Sequence, residues 1–194
     1  MPNYLFTIPA SDACIRFMLR YPAAISHFAN GEPPKPKSLR SKPSHSLPAS
    51  LGVDLSPLPV PPDWPTTPAE MESEIHHRNV ELYHIVLNGT PELVTGAGCI
   101  FQTWMSTTHT AIDMSGHGEQ FAFLSPQLPE LASLFDGITK DALAERLRMY
   151  LLRRGEDARV TQSELDTGWD DIRIVGDQAR ECADKGLGLI WLTV

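Results

Sequence analysis

Gly186-Leu187-Gly188-Leu189-Ile190-Trp191-Leu192-Thr193-Val194 is the stretch whose reading decides the fold. A glycine punctuates its start, and the apolar run that follows is short and rich in residues that favour the pleated backbone. Leu187 to Val194 therefore reads as a near-continuous apolar strand, buried centrally. Working back from it, a helix is predicted from about Asp170 to Lys185, with Ile172, Val175, Ala179 and Cys182 at core spacing.

Two further helices precede that one. Ser125-Pro126 reads as an N-cap followed by proline at the first helical position, leading into Leu128, Leu131, Ala132 and Phe135. Thr139 is the expected cap of the next, whose Leu143, Leu147, Tyr150 and Leu151 face inward until Gly155 stops it. Gln120 to Leu124 and Cys99 to Met105 read as strands, and the glycine-rich stretch from Gly89 to Gly98 as a loop. A long helix is expected from about Pro68 to Leu87, with Met71, Ile75, Leu82 and Val86 along one stripe.

At the N-terminal end, Tyr4 to Ile8 alternates as a strand. Ser11 is expected to cap a short helix carrying Ile15, Met18 and Leu19 on one face. Pro22 breaks it and opens a second short helix through Ile25 and Phe28, with Gly31 as its stop. Residues 32–68 differ in kind, holding eleven of the seventeen prolines. They read as a Pro-rich loop or insertion, basic from Lys35 to Lys42. Its later apolar groups, Trp64 among them, suit a segment strapped across the body. The expected architecture is a single α+β domain over residues 1–194: a small mixed sheet with several helices packed on it, plus this insertion.

The hydrophobic fraction of 42% in 194 residues supports a core of that size. No apolar run approaches the roughly 18 residues that span a bilayer, and Met1 to Pro9 lacks the basic region of a secretory signal. Cys14, Cys99 and Cys182 are scattered, which predicts reduced, largely buried thiols in a cytoplasmic protein. The net charge of −8 is uneven: residues 1–70 carry six Lys/Arg and five Asp/Glu, residues 71–194 ten and nineteen. Such a charge repels nucleic-acid backbones and attracts a basic protein. Neither a nucleic acid nor a membrane is therefore an expected partner.

Chemistry-bearing clusters are few. His77, Glu81 and His84 stand four and three residues apart, so on one continuous helix they converge and could hold a metal. A polar helix face is the favoured account of them, since no fourth ligand is evident, and the metal site is the weaker alternative. His109, Asp113 and His117 repeat every four residues, but Ser115, Gly116 and Gly118 make that segment a loop, where the spacing loses its meaning. Thr95-Gly96-Ala97-Gly98 lacks the Lys-Ser/Thr pair of a phosphate cradle, no serine sits in a nucleophile elbow, and Cys99 has no nearby basic group to stabilise a thiolate. No catalytic residue and no cofactor are assigned.

The acidic segment is the strongest candidate. Glu164, Asp166, Asp170, Asp171, Asp177, Glu181 and Asp184 outnumber Arg173 and Arg180 over twenty-one residues. Asp177, Glu181 and Asp184 share the face opposite the core stripe, while Asp170 and Asp171 could instead serve the helix N-terminus. Asp166, Asp170, Asp171, Asp177, Glu181 and Asp184 form either a docking surface for a basic partner or a solvated charged face.

Val80-Glu81-Leu82-Tyr83-His84-Ile85-Val86-Leu87-Asn88-Gly89-Thr90 resembles the segment of the YfbM-like family in which Trp-x-x-Leu-His precedes Leu-Thr-Gly. Val80 stands where that family prefers tryptophan, so no role built on the ring carries over. Phe123-Leu124-Ser125-Pro126 with the two helices after it, and the closing helix with Gly188-Leu189-Ile190-Trp191, resemble the family's later elements. The resemblance spans residues 71–194, with a weaker echo at the N-terminal strand and helix, and leaves the Pro-rich insertion without an equivalent. It implies an α+β domain of no established catalytic activity. Such domains resemble immunity proteins that bacteria keep beside secreted antibacterial toxins, type VI effectors included. The expected function is thus binding and occlusion of a cognate toxin encoded nearby, for example a basic nuclease. The alternatives are a small metal-dependent hydrolase using His77, Glu81 and His84 or the His109–His117 segment, and a housekeeping protein-interaction domain.

Overall fold

In the computed structural model, residues 5–36, 39, 58–69, 72–75, 80–91 and 121–193 are described. The strands are β1 (Leu5–Ala10), β2 (Glu72–Ile75), β3 (Phe121–Phe123) and β4 (Gly188–Thr193). The helices are α1 (Asp12–Arg20), α2 (Ile25–Ala29), α3 (Val80–Asn88), α4 (Leu128–Asp136), α5 (Lys140–Arg153) and α6 (Gln162–Asp184). Short 3₁₀ turns at Pro22–Ala24 and Ser125–Gln127 precede α2 and α4.

β4 lies inside the sheet, whose order is β2-β1-β4-β3. It pairs with β1 from Leu5↔Thr193 to Ala10↔Gly188, and with β3 from Phe121↔Trp191 to Phe123↔Leu189. Every described pair is antiparallel, and the expected strand Cys99–Met105 lies outside the described residues. The continuous apolar run is explained by what lies on each side. Leu189 and Trp191 point into a cluster with α3, α4, α5 and α6, whereas Ile190 points into a second cluster with α1 and α2. Alternate side chains of a strand leave by opposite faces, and here both faces are covered, so a polar residue has no place on either.

Trp191 is the largest fully buried side chain among the described residues. Its ring meets Phe123 at 5.0 Å and Tyr83 at 5.3 Å between centroids, both in edge-on arrangements that aromatic quadrupoles favour. Gly188 lies where the second layer presses closest. A Cβ added there would collide with the Ile15 side chain and the Phe123 carbonyl.

The larger layer is built as its caps and periodicity dictate. The Thr139 hydroxyl accepts from the Ala142 N–H at 3.2 Å and starts α5, whose Leu143, Leu147 and Tyr150 are buried. Thr161 and Glu164 form a reciprocal capping box at the start of α6, with the Thr161 N–H donating to Glu164 at 2.7 Å. α6 therefore begins eight residues before the expected Asp170. Between α4 and α6, Gly176 allows close approach, since a Cβ there would stand 3.0 Å from the Phe135 Cβ. Arg146 of α5 donates to the Val86 carbonyl in the last turn of α3 and so ties these two helices.

In the smaller layer the Ser11 hydroxyl caps α1 by accepting from the Cys14 N–H at 3.2 Å. Residues 58–69 strap across α1 and α2. Trp64 lodges between Phe17 and Phe28, each 5.2 Å away, and its indole N–H donates to the Glu32 carbonyl at 2.8 Å. Gly31, at a φ of 64°, lies so close to the Thr67 backbone that no side chain fits. The strapped later part of the Pro-rich segment is thus present, while residues 40–57 lie outside the described residues.

Two further expectations are corrected. The single helix over Pro68–Leu87 is replaced by β2 and a later α3. Glu72–Ile75 meets the edge of β1, pairing Leu5↔Ile75 and Thr7↔Glu72 across a register shift, and satisfying that edge overrides the helical period. Ser125 does not cap α4. It belongs to the 3₁₀ turn, and its side chain and N–H both donate to Asp12, while Gln127 Oε1 accepts from the Leu124 N–H at 2.9 Å. The α+β class itself holds, and no described helix is long and apolar enough to cross a membrane.

A candidate docking face on the longest helix

α6 runs for 23 residues with one side buried. At 100° per residue, Asp166, Asp170, Asp177, Glu181 and Asp184 fall within an arc of about 60°, spread over roughly 27 Å of axis. All five are exposed, and the buried residues Ile172, Val175, Ala179 and Cys182 lie on the opposite side. The stripe follows from the earlier helix start, which brings Asp166 and Asp170 into phase with the three residues grouped from sequence.

Asp171 is a correction. It is buried, at 1% exposure, and cannot meet a partner. One residue on from Asp170 is a 100° turn, which carries Asp171 to the inward arc. It faces the larger core near Tyr83, whose phenol is pushed well above its usual range by burial and then by the Asp171 charge. Nor do Asp170 and Asp171 cap the helix, because Thr161 does so nine residues earlier.

The stripe is partly neutralised within the fold. Asp166 accepts from Lys140, and from Gln162 at 2.9 Å, and Lys140 chiefly holds its carboxyl below the ordinary range. Asp177 pairs with Arg180 at 2.7 Å, and Glu181 pairs with Lys185. Asp170 and Asp184 have no ion pair among the described residues. Exposed pairs of this sort contribute little to stability and exchange readily for an incoming cation.

Beside the stripe, α4 and α6 enclose a groove of about 250 Å³. Phe135, Ile138, Trp169 and Ile172 form its apolar surface, with Gly176 at the helix seam. Arg173 and Arg180 stand at the rim. The Arg180 guanidinium is held from two sides, by Asp177 and by Asp136 at the end of α4, and the Asp177 hydrogen bond foremost pushes its pKa up. A helix beginning at Asp170 leaves Trp169 outside it, so this groove is not legible from that expectation. Thr161-Gln162-Ser163-Glu164 was the available signal, since a threonine followed three residues later by glutamate marks a helix start.

The other candidates lie largely beyond the described residues. His77 does so entirely, and Glu81 and His84 are placed on α3 by backbone alone. Glu72–Ile75 is a strand where the expected helix ran, and residues 76–79, His77 among them, lie outside the described residues, as do the side chains of Glu81 and His84. His109, Asp113, His117 and Cys99 fall in residues 92–120, outside the described set. Among the described residues no group of three or more His, Cys, Asp or Glu is arranged to hold a metal ion. Cys14 and Cys182 are buried, and burial raises the Cys14 pKa, with Asp63 at 3.8 Å adding to it.

No protein-family model, curated protein or solved structure matches this chain.

Proposed function

We propose that this chain is a cytoplasmic immunity protein of YfbM-like type, which binds a basic partner through the outward face of α6. The partner is a cognate toxin, a nuclease being the class whose substrate-binding cations best match a row of carboxylates. The reading rests on one observation: five exposed acidic side chains in phase along one helix, with Asp170 and Asp184 unpaired among the described residues. A row of that length suits electrostatic steering of a cationic surface. The resemblance over residues 71–194 adds the immunity role, and the net charge of −8 agrees in sign.

The test is co-purification with the product of the adjacent gene, wild type beside an Asp170→Lys/Asp184→Lys double variant. These two positions leave the described ion pairs intact. A complex that forms with wild type, slows in association as salt rises and weakens at least about tenfold in the variant supports the reading. A complex indifferent to both changes, or protection of intoxicated cells by the variant equal to wild type, removes α6 from the contact.

A further inference from the structure

We infer that the groove between α4 and α6 receives one aromatic side chain from a basic segment of the partner, anchoring the contact that the carboxylate stripe steers. This inference rests on the reading of α6 as the docking face and adds the group that would hold the complex together. Charge steering alone gives fast association. Lifetime comes from a few desolvated anchors seated in pockets, with tryptophan and tyrosine enriched among them.

Size argues first. At about 250 Å³ the groove is below the roughly 300–1,000 Å³ of small-molecule sites, and it accommodates a single large side chain. Its apolar surface is fixed on packed helices, with Phe135 and Ile172 buried and Trp169 half-buried, so little ordering is needed on binding.

Charge argues second. Two arginines and two aspartates line the groove, so its charged groups cancel and a free anion gains little there. The guanidinium of Arg180 is locked between Asp136 and Asp177. A planar guanidinium held in place still stacks on the face of an aromatic ring when its charge is balanced, and Arg173, which also lines the groove, offers a second cationic face. Asp177 belongs to both features, lining the groove and standing in the acidic row. A ring in the groove therefore places flanking lysines or arginines of the same segment beside Asp170 and Asp184.

Two probes separate the anchor from the steering: capped pentapeptides with paired lysines on each side of a central phenylalanine or a central alanine. Each is titrated into the full chain at low salt and followed by ¹H–¹⁵N NMR. The expected result is about tenfold tighter binding of the phenylalanine peptide, with shifts at the Trp169 indole and the Gly176 amide. Trp169→Ala should erase the preference and leave the weak, salt-sensitive binding common to both peptides. Should that variant unfold, Arg173→Ala reads the same preference and should reduce it about threefold. Equal binding of both peptides, with shifts confined to the acidic row, overturns the anchor and leaves the docking face standing. Tighter binding of the phenylalanine peptide that survives both substitutions also overturns it. Binding of neither peptide overturns the docking face along with the anchor.

Discussion

The Asp12 carboxylate accepts two hydrogen bonds from Ser125, 113 residues further along the chain, at 2.8 Å from the backbone N–H and 3.0 Å from the hydroxyl. It joins the first turn of α1 to the turn that follows β3, across the rim of the sheet. Asp12→Ala leaves an N–H and a hydroxyl without their acceptor, and should cost about 1.5–3 kcal/mol. Ser125→Ala removes one bond only and should cost about 1 kcal/mol. Urea unfolding of the two variants and the double variant checks both figures and the coupling between them.

Gly188→Ala should destabilise by about 1–3 kcal/mol, because the new methyl group meets the Ile15 side chain and the Phe123 carbonyl. The Phe123 oxygen belongs to a paired strand and cannot yield. Combining Gly188→Ala with Ile15→Val should recover little, and thermal unfolding measures the difference.

Tyr83 should show an unusual sign. Its ring is central to the larger core, but its hydroxyl is buried with no hydrogen-bond partner among the described residues. Tyr83→Phe should therefore change stability at neutral pH by less than about 1 kcal/mol. Burial, then Asp171, raises the folded pKa above the unfolded value. The neutral phenol's contribution is thus complete below the unfolded value of about 10 and is lost as pH rises towards the folded one. Wild type should lose stability in that alkaline window, and Tyr83→Phe should lose less.

Asp166 works in the opposite direction. Lys140 first, and Gln162 next, hold its folded pKa down, so its contribution is present above the unfolded aspartate value and is lost as pH falls through the folded one. Full exposure and salt screening keep that contribution small. A ¹³C-detected carboxyl titration should place Asp166 below the ordinary aspartate range, and Lys140→Met should move it back up.

Arg146→Met should loosen the end of α3 rather than unfold the chain. The guanidinium is partly desolvated, which lowers its pKa, and it donates to the Val86 carbonyl at the helix end. Losing that bond should cost about 1–2 kcal/mol and speed amide exchange from Ile85 to Gly89 more than in β4.

The elements that were legible in the sequence are those whose local chemistry and tertiary role agree. Thr139 caps, Leu143 and Leu147 face the core, and β4 is apolar from Leu189 to Trp191, where both its sides are buried. Glu72–Ile75 was hidden because its side chains also fit a helical period, and only the waiting edge of β1 decides otherwise. Ser125 was misread because an acceptor far away in sequence, Asp12, outcompetes the local cap. On the candidate face, three of the acidic positions were correctly phased from sequence. Asp171 was misassigned because its burial depends on a helix start nine residues upstream, and the groove was invisible because it needs α4 and α6 together.

The place of β4 between its two clusters has a consequence for biosynthesis. It follows every other described element in the chain, yet Leu189 and Trp191 complete one layer while Ile190 completes the other. A nascent chain that has made α1 through α6 still lacks the ribbon on which both sets of helices close. At roughly 5–20 residues per second, about 10–40 seconds separate the synthesis of β1 from that of its partner. During that wait β1 exposes an unpaired edge, so holding by a chaperone is expected to matter before β4 arrives, and hardly at all afterwards.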